Sequence, residues 1–264
     1  MPLPDVQESK PKIEIALNRV GISKLVLPIY IRRKEQSESQ HTVAEVSCYV
    51  DLPADKKGIN MSRLPIIIQS NLDQPLRGAT VHSVAEQVMR ASEANVCQLI
   101  YEFHYFTKKI APVSGNEGYV DHKVIFDGTI SLYNEFIWKV SVETIGTSLC
   151  PCSKEISNHG AHNQKCYINI NVKPRFDKIV WIEDLIEIAD KSCSCEIWSV
   201  LKRPDEKWVT ETAYNNAMFV EDIARECYKH LIENKKIKSF KVKVASDESI
   251  HVHRAEAIIE GECI

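Results

Sequence analysis

The stretch FIWKVSVETIG, residues 136–146, decides the fold class of this chain. Every second residue from Phe136 to Val142 is apolar, and this period of two indicates a β-strand with one buried face. Two stretches with strand character precede it: QLIYEFHYF, residues 98–106, and HKVIFDGTISLY, residues 122–133. Together the three predict an antiparallel meander.

The chain before the meander predicts a strand pair and a helix. Residues 13–31 predict an extended strand with Gly21 as a bulge or bend, and residues 41–52 alternate in the same way, so the two could pair as a hairpin. A helix follows, for which Thr80 is the predicted N-cap, with apolar residues on one face as far as Ala91.

The chain after the meander repeats this order of elements. Residues 165–171 predict a strand, and two amphipathic helices and two more strands follow it, ending in VHRAEAIIEG, residues 252–261. Splitting the chain near Tyr133 gives two modules of nearly equal length, residues 1–133 and 134–264. We therefore predict an α+β protein made of two similar modules that share one sheet system.

Composition excludes several classes of protein. The 264 residues carry a net charge of -3, so no global positive field exists to hold nucleic acid or an anionic membrane. The amino-terminal stretch lacks an apolar signal core, and no apolar run reaches membrane-spanning length. We expect a cytoplasmic protein whose nine cysteines stay free as core residues, metal ligands or nucleophiles.

The stretch SLCPCSKEISNHGAHNQK, residues 148–165, carries the densest group of chemically active side chains. It follows a predicted strand and contains a proline and a glycine, so it predicts a loop. Cys150, Cys152 and His162 lie close enough in the chain to bind one ion, and thiolate with imidazole suits zinc or ferrous iron. Too few ligands are present for a closed tetrahedral site, which favours an open, catalytic position.

Two other interpretations of these cysteines stay open. Cys150 and Cys152 could be small buried apolar residues, with a neighbouring histidine holding the loop by hydrogen bonds. Alternatively, Cys193 and Cys195 in SCSCE could join them in a structural zinc site with four thiolates. Such sites usually have CxxC rather than CxC spacing, so this interpretation ranks lower.

Two charged stretches complete the candidate chemistry. LKRPDEKWVTE, residues 201–211, is typical of a solvated surface loop, but its cations would also suit a phosphate-bearing substrate. In ASDESIHVHRAEA, residues 245–257, we predict a strand on which His251 and His253 face the same side. That arrangement suits metal ligation or proton transfer.

In order along the chain, SLCPCSKEIS, GAHNQK, VLKRPDEK, VTETAYNN, FVED and ESIH resemble the type IB GTP cyclohydrolases. The resemblance covers nearly the whole chain; KGINMSR, residues 57–63, also resembles a family segment but has Asn60 where that family has histidine. It implies a tunnelling fold of two fused modules, each an antiparallel sheet with helices on one face. It also implies a homotetramer with active sites at subunit interfaces.

The implied activity is hydrolysis of GTP to 7,8-dihydroneopterin triphosphate and formate, the first step of folate and pterin biosynthesis. The implied cofactor is a divalent metal ion, zinc, manganese or ferrous iron, which activates a water for attack on carbon 8 of guanine. Two alternatives stay open: an archaeal-type GTP cyclohydrolase that makes a cyclic phosphate, and a non-catalytic purine- or pterin-binding protein of the same fold.

The resemblance also implies a metal site and a base-binding residue. Cys150, His162 and Glu206 correspond to the metal ligands, and Cys152 is an alternative ligand or proton carrier. Glu221 corresponds to the purine anchor, because a carboxylate can accept two parallel hydrogen bonds from the guanine ring.

The remaining implied roles are proton transfer and triphosphate binding. His251 is the candidate acid and base, with Glu248 as its partner. Lys154, Lys202 and Arg203 are the candidates for binding the triphosphate.

Overall fold

A computed structural model describes residue 7 and residues 9–34, 38–133 and 136–263. The strands are β1 Leu17–Arg32, β2 Ser39–Leu52, β3 Val96–Ile110, β4 Glu117–Ser131, β5 Phe136–Leu149, β6 Asn163–Pro174, β7 Cys195–Glu196, β8 Ile237–Ser246 and β9 Ala255–Glu262. The helices are α1 Arg63–Gln69, α2 Gly78–Ala91, α3 Pro151–Ile156, α4 Ile182–Ser192, α5 Arg203–Asn215 and α6 Val220–Ile232. In these described ranges, no helix combines the length and the apolar character that crossing a membrane requires.

The described strands form one sheet in the order β1-β2-β3-β4-β5-β6-β8-β9, with β7 paired to β5 beside that path. The pairs β1–β2, β2–β3, β5–β6, β6–β8 and β8–β9 are antiparallel. The predicted hairpin between the first two strands and the predicted α+β class are therefore confirmed. The alternating patterns predicted these strands because antiparallel strands bury one face and leave the other more exposed.

The chain divides into two compact units: Met1–Phe103 with Ile125–Lys139, and His104–Val124 with Val140–Ile264. Strands β3 and β4 contribute residues to both units. The module boundary between residues 133 and 134 stays a prediction, and residue 134 lies outside the described residues.

In the first unit, the bulge or bend predicted at Gly21 is not at that residue, which pairs regularly with Tyr49. Irregularities in the β1–β2 register flank it instead, between Leu17 and Val20 and between Ile22 and Leu25. A Cβ atom at Gly21 would lie 1.9 Å from the backbone oxygen of Cys48, so only glycine permits this approach of the two strands.

The predicted N-cap of α2, Thr80, is wrong by three residues, because the N-cap is Arg77 and the helix begins at Gly78. The hydroxyl of Thr80 donates to the backbone oxygen of Pro75 at 2.8 Å instead of accepting a bond from the first helical turn. The apolar face is as predicted, and Val81, Val84 and Val88 are buried.

In the second unit, α4 and α6 pack on the sheet beside β6, β8 and β9. The buried face of β6 includes Cys166, Ile168 and Ile170, and α6 contributes Ile223 and Leu231. Each fully buried aliphatic side chain stabilises the fold by roughly 1.5–3 kcal/mol. This core supports the ends of β5, β6 and β8, where the candidate site residues lie.

Candidate active site

The pairing of β5 with β6 brings together the two ends of the connection that carries the predicted ligands. Leu149 pairs with Asn163 at the end of the ladder. The next backbone hydrogen bond runs from the N–H of Cys150 to the oxygen of His162, at 3.1 Å. The antiparallel register therefore places Cys150 beside His162 although a whole connection separates them in sequence.

The connection is partly helical, so the prediction of a loop for its whole length is wrong for Pro151–Ile156. Pro151 is the first helical residue, a position where proline is favoured because its missing N–H is not needed. Cys150 is the N-cap, and its Sγ accepts the N–H of Ser153 at 3.4 Å. The Ser153 hydroxyl donates to the backbone oxygen of Cys150 and accepts the N–H of His162. Ser153 thus links the backbones of both predicted ligands.

The side chain of His162 is held by Gln164 and Glu248. Its Nδ1 lies 2.8 Å from Oε1 of Gln164, and Nε2 of Gln164 donates to Oε1 of Glu248 at 3.3 Å. The side chains of His162 and Glu248 are only 15% and 14% exposed. Among the residues that the structure describes, none forms a hydrogen bond with Nε2 of His162.

The side chains beside this hydrogen-bond network provide some, but not all, of the ligands that a metal site requires. Thiolate and imidazole are ligands for zinc or ferrous iron, and Cys150 and His162 lie next to each other with the second ring nitrogen of His162 already oriented. No group of three such ligands forms within the described ranges of the chain. Cys150 and His162 are thus two of the predicted ligands and by themselves form an incomplete site; we call this pair the half-site.

The predicted third ligand, Glu206, lies in the first turn of α5 with an exposed side chain. The solvated surface loop predicted for residues 201–211 is therefore wrong, because most of this stretch is helix. α5 is attached to the end of β5 through a buried apolar cluster that contains Leu149 and Ala213. The structure does not bring the Glu206 carboxylate into a group with the half-site.

Asp205 anchors the start of α5. Its carboxylate accepts bonds from the N–H groups of Val113, Ser114 and Lys202 and from the hydroxyl of Ser114. Burial alone would raise the pKa of Asp205, but these bonds, the Ser114 hydroxyl first, outweigh it and hold the pKa well below its usual range. Asp205 stays ionised and anchors the first turn of α5, which also carries Glu206.

The predicted triphosphate ligands differ in how free their donors are. The Nζ of Lys154 donates to the backbone oxygen of Tyr214 at 2.6 Å and lies 4.5 Å from the centre of its ring. Lys202 and Arg203 are exposed at the start of α5. Lys154 therefore already binds the end of that helix, whereas the other two extend into solvent.

Glu221 lies in the first turn of α6 and is exposed. The segment before it is bonded to the end of β5: the N–H of Met218 donates to the oxygen of Leu149, and the hydroxyl of Ser148 donates to the oxygen of Met218. These bonds place the start of α6 beside the strand that leads into Cys150.

The strand predicted at His251 and His253 is wrong. β9 begins at Ala255, and the preceding residues form a turn in which the N–H of His251 donates to the oxygen of Glu248. The two imidazole rings nevertheless lie together, stacked with centroids 5.0 Å apart. The carboxylate of Glu248, predicted as the partner of His251, contacts Gln164 and His162 instead.

Of the four cysteines of the rival zinc site, Cys193 and Cys195 are buried, whereas Cys150 is half-buried and Cys152 is exposed. Burial raises the pKa of Cys193 to about 12 and that of Cys195 to about 11, so both are neutral thiols at neutral pH. Within the described part of the chain they do not assemble with a third ligand. Their surroundings favour packing rather than metal binding.

Sequence reasoning missed three residues that hold this region together: Gln164, Ser153 and Asp205. For Gln164 a signal existed, because residues two apart on an extended segment share a face, and Gln164 follows His162 by two. Asp205 bonds to Val113 and Ser114, more than 90 positions away, so no local pattern indicates this role. Ser153 bonds to Cys150 and His162, three and nine positions away, but these bonds depend on the fold of the connection and leave no periodic signal.

Comparison with known proteins finds relatives over almost the whole chain. Residues 3–257 match the family model described as type I GTP cyclohydrolase FolE2. The protein named GTP cyclohydrolase FolE2 from Nitrosomonas eutropha is 40% identical over 99% of this chain and 96% of its own length. The protein of that name from Thermosipho melanesiensis is 42% identical over 97% of both chains.

Solved structures with a similar fold are urate oxidases. That of Bacillus sp. TB-90 matches with a TM-score of 0.54 at 10% identity, covering 93% of this chain and 99% of its own. A uricase from Bacillus fastidious matches with a TM-score of 0.55 at 9% identity, covering 93% of this chain and 94% of its own. At such low identity the likeness concerns the fold alone, and it confirms the predicted tunnelling fold.

Proposed function

We propose, since the chain belongs to the type I GTP cyclohydrolase FolE2 family, that it hydrolyses GTP to 7,8-dihydroneopterin triphosphate and formate. The observation that carries this proposal is the half-site: the register of β5 and β6 places Cys150 beside His162. The side chains of these two residues, a thiol and an imidazole, are of the types that bind metals suited to hydrolytic chemistry.

Cys150 and His162 would hold the metal ion, with Glu206 proposed as the third ligand. A divalent metal bound there would supply a water of lowered pKa for attack on carbon 8 of guanine. Gln164 holds the imidazole of His162 in place, and Ser153 holds the backbone of both ligands. Which of zinc, manganese or ferrous iron serves is decided by availability as well as by affinity.

Guanine would be bound by Glu221. Its exposed carboxylate can accept two hydrogen bonds, from the ring N–H and the exocyclic amine. The bonds from Met218 and Ser148 join the start of its helix to the end of β5, which supports a base held near Cys150. Holding the base in one orientation lowers the entropic cost of the reaction.

Proton transfer to the ring and to the departing formate would fall to His251, with Cys152 as a second candidate. Both side chains are exposed. Glu248 is placed to act through Gln164 on His162 rather than on His251. For the triphosphate, the exposed Lys202 and Arg203 are better placed than Lys154, whose amine is already bonded.

We also propose a homotetramer in the cytoplasm, with active sites at subunit interfaces. The outermost strands of the described sheet, β1 and β9, each have a neighbour on one side, and an open sheet edge favours pairing with another chain. The nine cysteines are free thiols, in keeping with a reducing compartment.

The test is incubation of the metal-stripped protein with GTP and zinc, manganese or ferrous iron under anaerobic conditions. We expect metal-dependent release of formate and a linear neopterin triphosphate, detected after oxidation by its fluorescence and mass, and neither product from Cys150→Ala. A cyclic phosphate product would identify the archaeal-type reaction instead. Binding of GTP without turnover under any metal would contradict catalysis and leave a purine-binding protein.

A further inference from the structure

Gln164 is the first residue of the buried face of β6 and is 8% exposed. Its side-chain amide has three polar neighbours. Oε1 lies 2.8 Å from Nδ1 of His162 and 3.5 Å from the hydroxyl of Ser249, and Nε2 lies 3.3 Å from Oε1 of Glu248. The amide therefore connects a proposed ligand to a carboxylate on a different connection of the sheet.

The carboxylate determines which way the amide faces. An ionised carboxylate only accepts hydrogen bonds, so Glu248 requires the NH₂ group of Gln164 on its side. The carbonyl oxygen of Gln164 must then face His162. The hydroxyl of Ser249 can donate to that same oxygen and so favours the same orientation.

The orientation of the amide in turn determines the tautomer of His162. A carbonyl oxygen only accepts, so Nδ1 must carry the proton, and the lone pair of the neutral ring is then on Nε2. No described residue bonds to that nitrogen. A histidine that ligates through Nε2 requires this tautomer.

We propose that Gln164 is a positioning residue. Its amide is oriented by Glu248, presents its carbonyl oxygen to Nδ1 of His162 and so keeps the lone pair of Nε2 available for a metal. This inference rests on the proposed function. Gln164 touches neither the metal nor the substrate and acts only through His162.

Two substitutions at Gln164 distinguish the contribution of its hydrogen bond to His162 from that of its hydrogen bond to Glu248. Gln164→Met keeps the length of the side chain but removes both bonds, so we expect metal affinity to fall by about 10- to 100-fold. Gln164→Glu keeps an acceptor for His162 but places a second carboxylate against Glu248. We expect that variant to bind metal within about threefold of the wild type, by the same reasoning, and yet to turn over more slowly.

The matched control is Gln98→Met in the first unit. Gln98 is also 8% exposed, and its amide donates to the carboxylate of Asp127 at 2.9 Å. This hydrogen bond involves no histidine. If Gln164 acts only through general stability, both methionine variants should lower Tm alike and leave metal affinity unchanged.

The experiment reads out the tautomer directly. Nitrogen-15 spectra of histidine rings in the metal-stripped protein, with His162 assigned by its loss in His162→Ala, should show the proton on Nδ1 in the wild type and in Gln164→Glu. Competition titration with zinc should show the loss of affinity in Gln164→Met alone. A proton on Nε2 in the wild type, or wild-type zinc affinity in Gln164→Met, would overturn the proposal. Neither readout involves GTP, so a wild type that releases no formate would contradict the proposed function and not this inference.

Discussion

Two histidines of the second unit, His122 and His162, are held in opposite ways. Both nitrogens of His122 are bonded: Nε2 to the hydroxyl of Thr107 and Nδ1 to that of Thr144, each at 2.8 Å. In His162, Nδ1 is held by Gln164, and no residue that the structure describes bonds to Nε2. A structural histidine has both nitrogens used by the fold, whereas a candidate ligand has one nitrogen oriented and the other available.

The surroundings of His122 are those of a core residue, and those of His162 are those of a candidate ligand. His122 is 1% exposed, and burial, aided by the positive charge of Lys109, lowers its pKa to about 4. It is therefore a neutral residue of the core at neutral pH. His162 lies at the end of β6 beside a thiol and near a carboxylate, the surroundings of a ligand rather than of a core residue.

The largest expected effect is on His162. His162→Ala should lower formate release by a factor on the order of 10³, because metal-ion catalysis is worth several kcal/mol. Steady-state kinetics with saturating metal measure this loss. Tm should fall by no more than a few degrees, since the side chain makes one hydrogen bond. An active His162→Ala would remove the distinction between the two histidines.

His122→Leu should show the opposite pattern. It leaves the buried hydroxyls of Thr107 and Thr144 without their partner, so unfolding in urea should show a loss of about 1–3 kcal/mol in the free energy of unfolding. The kcat/KM for GTP should change by less than about threefold, since ΔΔG‡ then stays below 1 kcal/mol. A large loss of kcat/KM with unchanged stability would mean that His122 is functional.

Lowering the pH should reduce the free energy of unfolding through His122. Its pKa is lower in the folded protein than in the unfolded chain, so the folded state resists protonation, and stability falls as the pH drops from about 6.5 through about 4. We expect a loss of about 2 kcal/mol between pH 7 and pH 5 from this residue. Comparing urea unfolding of the wild type and His122→Leu at both pH values isolates it, and equal pH dependence in the two proteins would contradict the assignment.

The smallest expected effect concerns the basic residues proposed to bind the triphosphate. Like the two histidines, they differ in whether the fold already uses their polar groups. Arg203→Ala should raise KM for GTP about tenfold, which is the loss of one charge-assisted contact of about 1.4 kcal/mol. Lys154→Met should raise KM less than about threefold, since its amine already donates to the backbone of Tyr214. Initial rates over a range of GTP concentrations compare the two variants, and the reverse order would show that a bonded donor can still serve the substrate.

Much of the fold could be predicted from the sequence because its strands are half-buried. The alternation from Phe136 to Val142 gives β5, and the apolar faces of α4 and α6 give the helices that cover the second unit. Element ends were less predictable. Pro151 favours a loop by composition, yet it is the first residue of α3. Turns decided by backbone bonds, such as that between Glu248 and His251, leave no periodic signal.

The candidate site could be predicted only as a set of residue types. Chain proximity and family resemblance selected Cys150 and His162, and strand register brings them side by side. For His162 the partner Gln164 is local, two residues on, whereas the partners of His122, Thr107 and Thr144, are brought to its ring by the fold, so the sequence does not show that both nitrogens of His122 are bonded. The position of the Glu206 carboxylate relative to the half-site stays a prediction.

The central claim is that Cys150 and His162 bind one metal ion, and cobalt substitution tests it most directly. Metal-stripped protein titrated with Co²⁺ should develop thiolate-to-cobalt charge-transfer absorption in the near ultraviolet. Cys150→Ser should lose that absorption, and His162→Ala should weaken cobalt binding. A wild-type spectrum without a thiolate band, or a thiolate band unchanged in Cys150→Ser, would contradict the account.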